Sequence, residues 1–410
     1  MKKSCCSHNT LFVLIAFILG IVSGLLNIEA LNNITNIISD VFMRLLKLLS
    51  LPVICFSLLS TLSGLGNWKR LQDLGFKVVR YTILTTIIAA SLAAFLFFIF
   101  NPSMPNMAIV KDTTQASQGM SYINHLLNIV PSNILQPFVD HNVIGVLFIA
   151  LFFGLGILKL PDEKREPLHH VLDAIFSAVM ILIKWVVSLM PLAVFAFVTQ
   201  FVLDFQKSDG FKDLFIYIFI VVLANLIQAI VVLPLLLKQK NIPVLKTFKG
   251  MSKALYIAFF SKSSAAAMPI AMDCAEKLNV TKNVVRFSFP LCTTINMNAC
   301  AAFIYITVMF VSSSHGVVID TTEKFMYIFV ATIAAIGNAG VPMGCFFLAS
   351  ALLTTMGVPI TLMGVILPVY ALIDMLESAI NIWSDACVTL MVDKDLNVRK
   401  NNTNCTTNCV

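Results

Sequence analysis

Five polar side chains, Asp374, Glu377, Ser378, Asn381 and Asp385, interrupt an otherwise apolar stretch near the C-terminus, ALIDMLESAINIWSDACVTLMV from Ala371. At about 100° per residue they fall within a stripe roughly 100° wide on one helix face, with Ala, Ile, Leu and Val opposite. Each carboxylate inside a lipid-embedded helix costs about 2.5–3.5 kcal/mol on insertion scales, so such groups line a binding site or an ion path. The stripe is therefore where this chain is expected to do its work.

Three further interruptions need a place beside it. In IAFFSKSSAAAMPIAMDCAEKL, Lys262, Ser263 and Ser264 separate two short apolar halves. In ATIAAIGNAGVPMGCFFLASAL, Gly337-Asn338-Ala339-Gly340-Val341-Pro342 does the same. Neither half is long enough to cross a bilayer, and irregular backbone at membrane depth survives only if buried in protein or lining a wet cavity. Paired interrupted segments point to the substrate site of a secondary transporter. Half-helix N-termini offer free N–H groups and positive dipole ends to anions, and freed carbonyls offer ligands to a small cation. The alternative is a pair of ordinary helices kinked by Gly and Pro. Between the two segments, Thr293-Thr294-Ile295-Asn296-Met297-Asn298 sits in an apolar run. Buried Asn and Thr must find partners. Asn-Met-Asn suggests local unwinding with amides and carbonyls free for a hard cation, or else polar glue between helices.

The elements that must hold these residues are membrane helices. Hydrophobic residues make up 58% of the 410 and charged residues 12%, with a mean hydropathy of +0.89. A water-soluble chain of this size and composition would expose large apolar patches. Spans are expected at about 11–27, 38–62 and 77–100, then at the end of an interrupted region 121–158, and at about 169–203 and 213–237. The broken segments cover about 250–278 and 326–355, with helix 284–312 between them and the striped helix at 360–392. The N-terminal run LFVLIAFILGIVSGLL lacks a small-residue cleavage site and reads as the first membrane helix.

Basic residues set the orientation. Lys2, Lys3, Lys69, Arg70, Lys77, Arg80, Lys159, Lys164, Arg165, Lys238, Lys240, Lys246, Lys249, Lys253, Lys277, Lys282, Arg286, Lys394, Arg399 and Lys400 fall on one side. Only Lys111, Lys207, Lys212 and Lys324 fall on the other. Both termini are then cytoplasmic, and each broken segment must enter and leave on one side. The net charge of +7 is topological and gives no reason to expect nucleic acid.

Taken together, SKSSAAAMP, TINMNA, GNAGVP and the final D-M-x-x-S-x-x-N-x-x-x-D stripe resemble the dicarboxylate/amino acid:cation symporter family, which includes the glutamate transporters. RLLKLLSLPVICFSLLSTLSGLG, FNPS, IVPSN and MPLAVFAF extend the similarity over nearly the whole chain. The resemblance implies an all-α polytopic membrane protein of eight transmembrane helices plus two re-entrant helical hairpins, working as a homotrimeric elevator in the plasma (bacterial inner) membrane. It implies scaffold segments 1–78 and 121–210. Helices 79–120 and 211–249 would join a moving transport core, 250–392, ahead of a disordered cytoplasmic tail, 393–410. Substrate would be held by Ser263, Ser264, Cys300, the outer gate Gly340, Val341 and Pro342, and Asp374, Glu377, Ser378 and Asn381. Coupling cations, sodium or protons, would be held by Thr85, Thr86, Thr294, Asn296, Asn298, Ala335, Ile336, Asn338, Asn381 and Asp385. With sodium, Asp385, Asn296 and Asn381 would hold the ion. No cofactor is implied.

Three departures narrow the expectation. Where acidic-substrate members carry an Arg that reads the side-chain carboxylate, this chain has Glu377. Reversing a charge at a few ångströms turns attraction into repulsion worth several kcal/mol at an effective dielectric near 20. Either Glu377 pairs with a cationic or polar side chain, or it is protonated and serves proton coupling. Asn298 and Cys300 replace the family's Asp and Thr, and Met343 stands where Gly is usual in the second tip. The expectation is import of a neutral or cationic amino acid. A glutamate/aspartate or C4-dicarboxylate symporter is the alternative.

The remaining signals are weaker. An intramembrane enzyme would need a nucleophile–base pair that is not visible, and a channel could use the stripe as a charged ring. The ten cysteines show no zinc spacing and are expected as free thiols. Gly20-x-x-x-Gly24 permits a close helix contact.

Overall fold

The structure is a computed structural model that describes residues 5–64, 68–103, 130–140, 142–205, 211–338 and 343–407. All its regular elements are helical. They run α1 (Cys5–Leu26), α2 (Glu29–Gly64), α3 (Trp68–Phe100), α4 (Gln136–Val139), α5 (Val143–Leu158), α6 (Asp162–Ser188), α7 (Met190–Phe205) and α8 (Phe211–Ile227). A π-helical turn, Gln228–Val232, leads into α9 (Leu233–Gln239), then α10 (Val244–Ser261), α11 (Ser264–Lys277), α12 (Lys282–Ile295), α13 (Asn298–Ser314), α14 (Thr321–Gly337), α15 (Gly344–Thr355) and α16 (Thr361–Thr407). Among the described residues, five stretches are long and apolar enough to cross a membrane: Leu74–Phe100, Asp162–Val186, Lys212–Gln239, Lys282–Ser314 and Thr361–Leu396. This is an integral membrane protein.

Burial separates outer helices from inner ones. The most apolar window of Asp162–Val186 is only 17% buried and that of Lys282–Ser314 is 94% buried. The first leaves Trp185 and Ile181 exposed, and the second is enclosed by the other helices. Lipid is as apolar as a leucine side chain, so close backbone approach and internal hydrogen bonds must hold the helices together. Gly20 and Gly24 supply such an approach. A Cβ on Gly24 would lie 2.6 Å from Val202 Cβ and 2.8 Å from the Thr199 carbonyl. Thr199 Oγ1 donates to the Gly20 carbonyl at 3.3 Å across the same α1–α7 contact.

Proline and polar residues set the breaks. The span expected at 169–203 is two helices meeting at Leu189, because Pro191 has no N–H to continue the ladder. The π-turn precedes Pro234: its extra residue per turn lets Leu233 N–H bond Gln228 O, five residues back. The single helix expected at 284–312 parts at Asn296-Met297, as the Asn-Met-Asn pattern suggests, and resumes as α13. The striped helix is longer than expected. It carries no Gly or Pro after Pro368, so it runs through the polar tail, expected to be disordered, as far as Thr407. Asp393 accepts Thr281 N–H at 3.2 Å. Asp395 accepts Lys240 Nζ at 2.7 Å and Tyr81 Oη at 2.6 Å.

Both broken segments are helix–break–helix. In the first, α10 and α11 meet at Lys262, which takes a left-handed φ of 53°, and Ser263 caps α11 by accepting Ala266 N–H at 3.3 Å. In the second, Asp320 and Glu323 form a capping box that starts α14. The expected gate residues Gly340, Val341 and Pro342 lie outside the described residues. Met343, just past them, adopts φ 59°, the left-handed region that favours the glycine it replaces.

Candidate functional site

The stripe of α16 faces inward, toward the helix break. Asp374, Glu377, Ser378, Asn381 and Asp385 are 8, 1, 7, 3 and 0% exposed, which is the burial their cost in lipid demands. The first four line a small cleft with Lys262, Ser264, Met297, Cys300, Asn338 and Cys345. The first tip, the residues flanking the second break, the helix break and the stripe thus meet at one small pocket. Ser264 reaches the pocket wall. Ser263, its expected companion, spends its hydroxyl on the helix cap.

At the pocket's core Tyr370 Oη is shared between two carboxylates. It donates to Asp374 Oδ1 at 3.5 Å and Glu377 Oε2 at 3.3 Å. Glu377 Oε1 has no hydrogen-bond partner among the described residues. Asn381 secures the break: its Oδ1 accepts Ala299 N–H at 3.1 Å, the first turn of α13. Its Nδ2 points to Cys300 Sγ at 3.5 Å. Asn338 donates to Cys300 Sγ at 3.1 Å and Cys345 Sγ at 3.5 Å. Gly344 must be glycine for this arrangement, since a Cβ there would overlap Asn338 Oδ1.

Cys300 and Cys345 correct the expectation of free thiols. They are joined as a disulfide, with Cα atoms 5.4 Å apart. Cys55, Cys274, Cys292 and Cys387 are free. The link ties α13 to the start of α15, on the pocket side of the second break.

One turn further along α16 lies a buried polar layer. Asp385 accepts Asn296 Nδ2 at 2.9 Å and Thr293 Oγ1 at 3.3 Å. Asn296 Nδ2 also lies 2.9 Å from Ser384 Oγ, and Asn298 Nδ2 lies 2.5 Å from the same oxygen. From α3, Thr85 donates to Asn296 Oδ1 at 3.2 Å and Thr86 to Asn298 Oδ1 at 2.8 Å. Among the described residues the salt bridges are Arg165–Asp162 and Lys240–Asp395, so no basic side chain pairs with Asp385. A fully buried carboxylate met only by neutral donors is stable when a cation or a proton joins it. Oxygen-rich surroundings suit a hard ion.

Of the other expected cation ligands, Thr294 turns its hydroxyl to its own helix, at 2.7 Å from Leu291 O. Its neighbour Thr293 makes the contact to Asp385. Ala335 and Ile336 form the last turn of α14, where Ala335 O accepts Asn338 N–H at 3.1 Å. Thr293, Ser384, Tyr370 and Cys345 were not anticipated. Thr293 and Ser384 each adjoin a residue that was, and Tyr370 precedes Asp374 and Glu377 by four and seven residues, a same-face spacing. Cys345, 45 residues from Cys300, left no signal.

Known proteins agree with this architecture. The chain is 25% identical to a proton/sodium-glutamate symport protein of Bacillus subtilis (strain 168), over 93% of this chain and 91% of the relative. It is 26% identical to the proton/glutamate-aspartate symporter of Escherichia coli (strain K12), over 93% and 91%. It is 27% identical to neutral amino acid transporter B(0) of Oryctolagus cuniculus, over 85% and 71%. Residues 10–395 match the sodium:dicarboxylate symporter family, and with nearly the whole length covered, the chain belongs to that family of transporters.

Proposed function

We propose that this protein imports an amino acid by symport with sodium ions or protons, and that the amino acid is neutral or cationic. The observation that carries the reading is the adjacency of two sites on one helix. A pocket bordered by the first tip, by Asn338 and Cys345 on either side of the second break, and by the stripe sits one turn from a buried carboxylate with no basic partner among the described residues. Ser264 and free backbone N–H groups at the first tip meet the substrate's α-carboxylate, and Asp374 meets its amino group. Asp385, with Asn296 and Asn381, holds one cation. Thr294, Ala335, Ile336 and Asn338 border a second. Thr85, Thr86 and Asn298 form what remains of a third. With Asn298 in place of an Asp, that third position has lost its formal charge.

The larger assembly follows the family. Eight transmembrane helices and two re-entrant hairpins form a scaffold and a transport core, 250–392, that carries the pocket across the plasma membrane as an elevator. Three copies make the unit, with both termini cytoplasmic. Names among the relatives favour an acidic substrate; Glu377 in the pocket wall opposes one. Uptake of radiolabelled amino acids into proteoliposomes, with imposed sodium or proton gradients, tests the reading. Saturable, gradient-driven uptake of neutral or basic amino acids is expected. Robust aspartate transport with no transport of the others would sink it.

A further inference from the structure

The charged groups around the pocket do not cancel. Among the described residues its walls carry Lys262, Asp374 and Glu377, and the gate segment Ala339-Gly340-Val341-Pro342 adds no charge. Lys262 and Asp374, when both are ionised, carry opposite unit charges and sum to zero. Glu377 remains, 1% exposed; when ionised it adds one negative charge. An amino acid's own α-amino and α-carboxylate groups also sum to zero. The net charge of the loaded pocket is therefore set by the substrate's side chain against Glu377.

Hydrogen bonding points the same way. Glu377 Oε2 has the Tyr370 hydroxyl at 3.3 Å, a donor it shares with Asp374. Oε1 has no donor among the described residues. None of the pocket's side chains among the described residues donates to it. Asn338 commits its N–H groups to Cys300 and Cys345, and its oxygen also lacks a hydrogen bond among the described residues. Asn381 Nδ2 faces Cys300, and Met297 and the two linked cysteines bring only sulfur. Two acceptor oxygens, Glu377 Oε1 and Asn338 Oδ1, are thus left without a donor among the described residues, the complement of a group with several N–H bonds and a positive charge.

Resting on the reading of the chain as an amino acid carrier, we infer that its substrate has a cationic side chain, an ammonium or guanidinium, whose head group binds Glu377. With such a substrate the pocket closes neutral. Beside an ionised Glu377, a neutral amino acid leaves one uncompensated buried negative charge, and an acidic one leaves two. Buried charge without a partner is the most strongly penalised arrangement available to the site.

The test is counterflow with the full-length protein in proteoliposomes, using labelled lysine, ornithine, arginine, alanine, serine, glutamine and aspartate at several external pH values. The expected result is exchange of one or more cationic amino acids by about 100-fold or more over neutral ones, the weight of a buried charge left unpaired. In Glu377→Gln that preference should collapse and neutral exchange should appear. Glu377→Asp, which keeps the charge on a shorter arm, should retain it in weakened form. If wild-type protein prefers a neutral amino acid, with exchange rising as the pH falls, Glu377 carries a proton and the inference is overturned while amino acid carriage stands. Preference for aspartate overturns it as well. No exchange of any amino acid, by protein that remains monodisperse and thermally folded, removes the carrier reading and this inference together.

Discussion

Replacing Asp385 with Asn should separate cation coupling from folding. The carboxylate is fully buried and its hydrogen bonds come from Asn296 and Thr293. A new amide can keep both contacts. Its oxygen accepts Asn296 Nδ2, and its N–H₂ can donate to Thr293 Oγ1, whose proton, shared with Asp385 in the parent, is then left to Phe289 O at 2.7 Å. What the substitution removes is the charge. Two unit charges 4 Å apart attract by about 4 kcal/mol at an effective dielectric near 20, and about 1.4 kcal/mol is tenfold in affinity, so cation binding should weaken by up to about 1,000-fold. Folding should not suffer, because exchanging a buried charge for a neutral isostere is commonly neutral or stabilising. The assay is paired. Uptake in proteoliposomes gives the cation concentration at half-maximal rate, and thermal melting in detergent without added sodium gives stability. Asp385→Asn should raise the first by two to three decades, on the order of the loss just given, and leave the second unchanged or higher. A variant that melts earlier without cation while its cation dependence stays at the parent value would refute the reasoning. It would make Asp385 a structural anchor.

The other expectations concern packing and pH. Gly24→Val should lower stability by about 1–3 kcal/mol, the usual penalty of overpacking, since its Cβ meets Val202 and the Thr199 carbonyl; an unchanged melting temperature would contradict the close α1–α7 contact. Lys240 is held charged beyond the ordinary lysine value of 10.5, first by its hydrogen bond to Asp395. Its contribution is therefore complete below pH 10.5 and lost as the pH climbs through the raised value. It is partly exposed, so Lys240→Met should cost no more than about 1 kcal/mol at pH 8, with the difference from the parent fading at high pH. His315 behaves oppositely. Burial pushes its pKa below 6.5 while Nδ1–H donates to Val311 O at 2.9 Å. Between the lowered folded value and 6.5 the unfolded chain binds more protons, so stability should fall as the pH drops below 6.5. In His315→Gln melting should lose that slope, and a slope equal to the parent's would assign it elsewhere.

Much of this arrangement could be read from residues alone, for identifiable reasons. Carboxylates in an apolar run announce themselves, because lipid tolerates them only on an inward face; Asp374, Glu377 and Asp385 are all buried. Asn-Met-Asn marked the unwound turn, and Gly20-x-x-x-Gly24 a contact that α7 fills. Other features depended on three-dimensional neighbours. Thr293 and Thr294 differ by about 100° of helix rotation, and only the position of α16 decides which hydroxyl meets Asp385. Tyr370 reads as one more aromatic in an apolar stretch until its hydroxyl is seen beside two carboxylates. The split at Leu189 was signalled by Pro191 but outweighed by continuous hydropathy. The helical tail was hidden by its polar composition, since the contacts of Asp393 and Asp395 come from residues 112 to 314 positions away.

The long unbroken run of α16 also fixes a phase. Asp374 and Asp385 are eleven residues apart on one rod, about 16 Å along its axis at 1.5 Å per residue, and no proline or glycine between them allows the spacing to stretch. Whatever distance the helix travels, the two acids travel it in step. Any signalling between substrate and ion must then pass through the jointed parts: the parted helix at Asn296-Met297, the left-handed corners at Lys262 and Met343, and the tether from Cys300 to Cys345. Inserting a single residue between Asn381 and Ser384 would leave composition and hydropathy almost untouched. It would turn Asp385 by about 100° relative to Asp374 and take the ion site out of register with the pocket.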